Sequence, residues 1–143
     1  MSSTNMILAD VYGEPESQPA TRFLYDVLRE REPYESISHR DMPSFEDHDR
    51  FVNSHPYREW FIIFAPRPVG SIYLTHQNEI GVFIIKAHQG HGYGQAAVRM
   101  LIDKYPDERF LANINPLNER SIKMFLDLGF ELLQLTYTKK PDA

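Results

Sequence analysis

The chain has 143 residues, 42% of them hydrophobic and 13% aromatic, enough for one domain over residues 1–143 built around one core. A formal net charge of −5 argues against a nucleic-acid backbone as the main partner, and with no cysteine there are no disulfides, thiolate nucleophiles or thiolate metal sites. No apolar run approaches a membrane span, and the opening stretch MSSTNMILADVYGEP lacks the pattern of a secretion signal. No membrane partner is therefore expected, and the cytoplasm is the expected compartment.

In chain order, NMILADVYG at 5–13 reads as a first strand, followed by the turn-rich EPESQPA at 14–20. Phe23, Leu24, Val27 and Leu28 share a helical face, which predicts a helix ending before Pro33. Residues 34–43 have no period and read as a loop. Ser44 is placed to cap the next helix, with Asp47 three residues on and Phe45, His48, Phe51 and Val52 along its stripe. WFIIFA at 60–65, GSIYLT at 70–75 and EIGVFII at 79–85 are strands joined by short turns, which predicts an antiparallel meander.

Ala97, Met100, Leu101 and Tyr105 then mark an amphipathic helix, and FLANIN at 110–115 another strand. Asn118 is a cap for a further helix, with Ile122, Phe125 and Leu126 as its core stripe and Gly129 at its C-terminal end. FELLQLTYT at 130–138 reads as a last strand. Alternating strands and helices after a meander predict an α/β (α+β) fold with a mixed sheet covered by helices.

Between the strand at 79–85 and the following helix lies QGHGYG, Gln89 to Gly94. Helix N-termini present unpartnered N–H groups and the positive end of the helix dipole, a seat for a phosphate. Glycine lets the main chain approach such a ligand without an intervening Cβ, and a structural strand-to-helix turn is the competing reading. The loop lacks the Lys-Ser/Thr ending of a P-loop and has the wrong glycine spacing for a dinucleotide fingerprint.

The segment from Glu79 to Leu101 resembles the cofactor motif of the GNAT superfamily of N-acetyltransferases, with the form Gln/Arg-Gly-x-Gly-x-Gly/Ala met by Gln89, Gly90, Gly92 and Gly94. NERSIKMFLDLGF, Asn118 to Phe130, is similar to a second signature of that family. The resemblance implies a mostly antiparallel, splayed sheet of six to seven strands with about four helices, and acetyl-CoA in the cleft as cosubstrate. It implies that Gln89, Gly90, His91, Gly92, Tyr93, Gly94 and Gln95 hold the pyrophosphate. Val82, Phe83 and Ile84 would lie along the pantetheine arm, the Ile84 amide near the thioester carbonyl. Asn115, Asn118, Ser121 and Phe125 complete the expected cofactor set.

Acetyl transfer to an amine needs a base, a stabilised carbonyl oxygen and a tolerated thiolate. The resemblance points to direct attack without a covalent enzyme intermediate. Glu79, opening the central strand, is the expected base, and a plain polar strand end is the competing reading. Many relatives carry a tyrosine four residues before the Gly-Phe pair, where this chain has Phe125. The acid is then read as Tyr137, with Tyr73 or unaided thiolate departure as alternatives. His88 and His91 flank the loop without a third ligand, so no metal is expected. His39, Trp60 and Tyr73 are the expected acceptor contacts. The acceptor is read as a small-molecule amine, an amino sugar or nucleotide-linked amino sugar. A peptide or protein N-terminus and a non-catalytic acyl-CoA-binding module are the alternatives. The short C-terminus leaves the acceptor side open, or closed by a partner subunit in a homodimer.

Overall fold

The computed structural model describes residues 6–13, 18–31 and 41–142. Its elements are β1 (Ile7–Asp10), α1 (Gln18–Glu30), α2 (Phe45–Asn53), β2 (Glu59–Phe64), β3 (Pro68–Leu74), β4 (Glu79–Ile84), a 3-10 turn (Lys86–His88), α3 (Tyr93–Asp103), β5 (Leu111–Ala112) and α4 (Glu119–Asp127). The sheet runs β1-β2-β3-β4-β5. Its first three pairings are antiparallel and the last is parallel.

Side chains alternate across each strand, so the sheet has two differently employed faces. Phe61, Ile63, Ile72, Leu74 and Ile80 pack with Ala97, Val98 and Leu101 of α3 and Phe125 of α4. On the opposite face Trp60 and Ile62 pack with Leu24 of α1 and Val52 of α2. His48 is buried on α2 with its ring 5.5 Å from that of Tyr25. Burial lowers the His48 pKa, the neighbouring Asp49 opposing only in part. It is a packing residue.

The hairpin between β3 and β4 fixes where the sheet opens. Asn78 takes up a φ of 64°, and its amide donates to Glu108 Oε1 at 2.9 Å and to the Arg109 carbonyl at 3.1 Å. Arg58 joins the same knot through Asn78 Oδ1 at 2.8 Å and both carboxylate oxygens of Glu108. This ties the turn to the chain entering β5. Pairing covers only Glu79 with Leu111 and Ile80 with Ala112, and β4 then continues alone to Ile84.

Three expectations are corrected. Five strands form among the described residues, not six to seven. The strand expected at 130–138 does not form: the segment joins no ladder and all its residues after Phe130 are exposed, including Tyr137 at 86%. A period-2 pattern makes a strand only where a neighbour supplies the other half of the ladder, and none lies beside it. Within the helices, Met100 and Leu126 are 39% and 55% exposed rather than buried. Each stripe is wider than the surface its helix covers. His39 and most of the loop at 34–43, like residues 14–17 of the turn-rich stretch, lie outside the described residues.

Candidate active site

Hydrogen-bonding groups alternate along a strand. Glu79 and Ile85 turn theirs toward β3, where the Thr75 amide donates to the Glu79 carbonyl and the Ile85 amide to the Val69 carbonyl, both at 2.9 Å. Val82 and Ile84 therefore turn theirs to the edge that β5 has left. Below that edge is a cavity of about 280 Å³. It is lined by Val82, Phe83 and Ile84, by His88, Gln89, Gly90, Gly92, Tyr93, Gly94 and Gln95, and by Asn118 and Ser121 of the α4 start.

The loop closes this cavity with backbone. Gly90 and Gly92 have φ of 89° and 79°, conformations L side chains rarely adopt, and a Cβ on either would meet nothing within 4 Å. Gly92 caps α3 with no side-chain hydrogen bond and no acidic residue follows in the first turn. The N–H groups of that turn have no side-chain cap to close them, a seat for an anion. A Cβ on Gly94 would stand 3.5 Å from both Ile84 Cγ1 and Met124 Sδ, narrowing the cleft. A diphosphate on the loop with an extended arm along the β4 edge fits these residues.

Three expected cofactor residues are not among those lining the cavity. His91 is exposed, 5.5 Å from the Tyr93 ring. Asn115 shapes the approach to α4, its Oδ1 accepting from the Leu117 amide at 2.9 Å. Phe125 is buried against Phe130, at 5.0 Å between ring centroids. Gln89 works inward as well: its amide donates to the Ile84 carbonyl at 2.8 Å and its oxygen accepts from Arg120. Sequence reasoning missed Arg120 and Met124, which line the cavity with Ser121. The helical spacing of Arg120 and Met124, one and two turns after the cap, was the available signal.

On the other face of β4, Glu79 sits at the last paired register before the strands part. Its Oε1 accepts from Thr75 Oγ1 at 3.3 Å and its Oε2 from Asn113 Nδ2 at 3.0 Å. Two positions on, Gly81 stands opposite Tyr73, and a Cβ there would fall 2.1 Å from that ring. The glycine lets Tyr73 lie across the strand. Tyr57 stacks on Tyr73 at 4.0 Å with planes 4° apart. Burial, with the Tyr73 hydroxyl alongside, pushes the Tyr57 phenol well above its ordinary pKa. Trp60 is 5% exposed and backs this pair, 4.8 Å from the Tyr57 ring. Arg31 lies 5.5 Å over the Phe83 ring, and its buried Nε has no hydrogen-bond partner among the described residues. Among those residues no group of three or more His, Asp or Glu side chains could hold a metal, and no helix is long and apolar enough to cross a membrane.

The chain is similar in fold to an acetyltransferase from Thermus thermophilus, at 23% identity and a TM-score of 0.71, covering 94% of this chain and 92% of that one. The yncA protein of Salmonella typhimurium, solved with its cofactor acetyl-CoA, gives 16% identity and a TM-score of 0.71, covering 97% and 99%. Spermidine N-acetyltransferase of Vibrio cholerae, in complex with CoA and spermine, gives 16% and 0.66, covering 88% and 80%. None of the curated protein sequences matches significantly. Residues 22–130 match the Acetyltransferase (GNAT) family. With a backbone-lined anion seat at the α3 start and an unpaired β4 edge leading from it, the chain belongs to that family and is an acyl-CoA-dependent N-acetyltransferase with acetyl-CoA as cosubstrate.

Proposed function

We propose that this single domain acetylates the amine of a nucleotide-linked amino sugar, with Glu79 as the base. Bound acetyl-CoA supplies a thioester carbonyl open to direct attack. The α3 amides and Arg120 hold the phosphates, while the Ile84 amide, on the free β4 edge, polarises the carbonyl. Glu79 takes the amine's proton, held in place by Thr75 and Asn113. Because it lies on the α1/α2 face, the acceptor approaches over Tyr57 and Tyr73, across the sheet from the cofactor loop. Tyr137 sits on the exposed C-terminal segment, so the thiolate leaves unaided or takes its proton from that segment once it is docked.

The observation that carries the acceptor class is Arg31 beside the stacked tyrosines. Tyrosine faces suit a sugar ring and their hydroxyls its polar edge. A guanidinium matches the planar, bidentate demands of a phosphate and repels a polycation. This favours a phosphate-bearing amino sugar over a polyamine. We read the working assembly as a homodimer.

Thiol release from acetyl-CoA, measured with nucleotide-linked amino sugars, free amino sugars, spermidine and N-terminal peptides, tests the reading. Turnover is expected to be fastest with the first. Preference for spermidine or a peptide overturns the acceptor, and absence of turnover with every amine overturns catalysis. Glu79→Gln should lower kcat by about 100-fold, the lower end for removal of a general base, with the KM for acetyl-CoA unchanged.

A further inference from the structure

We infer that the C-terminal segment is an exchange arm, which adds as a strand to the β5 edge of a second copy of this chain. The inference rests on the homodimer reading above and goes further by naming the interface. After Phe130, anchored on Phe125, no residue of the segment is buried and none joins a strand ladder. Yet its pattern is that of a half-buried strand: Leu133, Leu135 and Tyr137 alternate with Gln134, Thr136 and Thr138. Those three apolar side chains are 60%, 65% and 86% exposed. Six of the ten large apolar residues exposed among the described residues lie between Leu117 and Tyr137. Exposed apolar surface is thus gathered at one end of the molecule, as at an interface.

The same chain carries the matching vacancy. β5 is the last strand of the sheet and pairs only with β4. The Leu111 amide donates to the Asn78 carbonyl at 2.9 Å, so by alternation Phe110 and Ala112 turn their hydrogen-bonding groups away from β4. Such an edge is a template for another strand. Run antiparallel along it, the arm would bring Lys139 and Lys140 beside Asp107 and Glu108 at the start of β5, opposite charges at matching ends. Within one copy the arm leaves the body at Phe130 and covers none of its own surface. Reciprocal exchange about a two-fold axis caps both edges and closes the assembly at two copies.

Light scattering after size exclusion should give the full chain a mass near twice 16.7 kDa. The Leu133→Asp/Leu135→Asp double variant changes side chains already exposed in one copy, so helix content should hold. Its dimer dissociation constant should rise at least about tenfold, since two charges would enter the seam. The chain has no cysteine, which permits a second measurement on it intact. Copies carrying Thr136→Cys and differently tagged copies carrying Arg109→Cys are mixed and treated with a bismaleimide, and a covalent product containing both tags is expected. A dimer unaffected by the two aspartates overturns the arm while leaving the homodimer. A monomer at every concentration overturns both. A chain carrying both cysteines that cross-links only within itself shows the arm folding onto its own β5, and overturns the exchange.

Discussion

The starts of α2 and α3 are built on opposite plans. α2 is closed by its own sequence: Ser44 Oγ accepts the Asp47 amide at 3.0 Å, and Glu46 and Asp47 add negative charge to its first turn. α3 begins at Gly92, which has no side chain to offer, and carries no acid in its first turn. The unfilled donors and dipole cost α3 stability in isolation, and a bound anion offsets that cost. α4 lies between the two, for Asn118 Oδ1 accepts the Ser121 amide at 3.2 Å while the residue also lines the cofactor cavity. A helix that leaves its own start open next to a cavity is therefore a better pointer to the ligand than glycine content alone.

Giving α3 the kind of cap α2 has should produce the largest effect. Gly92→Asp places a carboxylate where the phosphates sit. Like charges so close cost about 2 kcal/mol or more, so the KM for acetyl-CoA should rise by about 30-fold or more. Thermal stability should barely change, because the strain at a φ of 79° is offset by the new cap and its favourable charge. A raised KM in a chain with an unchanged melting temperature separates ligand loss from unfolding. An unchanged KM would mean that no phosphate occupies this helix start.

At α4 the two roles should fall together. Asn118→Ala removes the cap, worth about 1 kcal/mol, and with it a polar group of the cavity, so the KM for acetyl-CoA should rise about fivefold. Chemical denaturation and steady-state kinetics on the same preparation read both. A stability loss without a change in KM would confine Asn118 to its helix.

These contrasts also show what could be read from residue order. Ser44, Asn118 and Gly129 act within a few residues of themselves, and each cap forms as its sequence neighbours dictate. The cofactor loop was legible for the same reason, being one short segment whose glycines serve one helix start. The arm at 130–138 was not. Alternation states which face a strand would bury but not whether a partner is present, and that partner is distant in sequence. β5 shrinks to two residues because the hydrogen bond from Asn113 to Glu79 and the parting of β4 are set by contacts over thirty residues apart. Arg31 carried no local signal at all. It matters only because α1 delivers it over Phe83, which lies on the third strand after it.

The smallest expected effect belongs to α2, and it anchors the scale for the others. Ser44→Ala deletes the hydroxyl that accepts the Asp47 amide, at a cost of about 1 kcal/mol. For a chain of this length that lowers the melting temperature by about 3 °C. Ser44→Gly should cost only a few tenths of that energy, since glycine is itself a tolerated cap. Neither should move the KM for acetyl-CoA, because α2 packs on the face of the sheet away from the cofactor cavity. Calorimetry on the two variants checks the stability order and kinetics the silence at the site. A shift in KM with Ser44→Ala would mean that the two faces of the sheet communicate, and that the α3 start is not an independent seat.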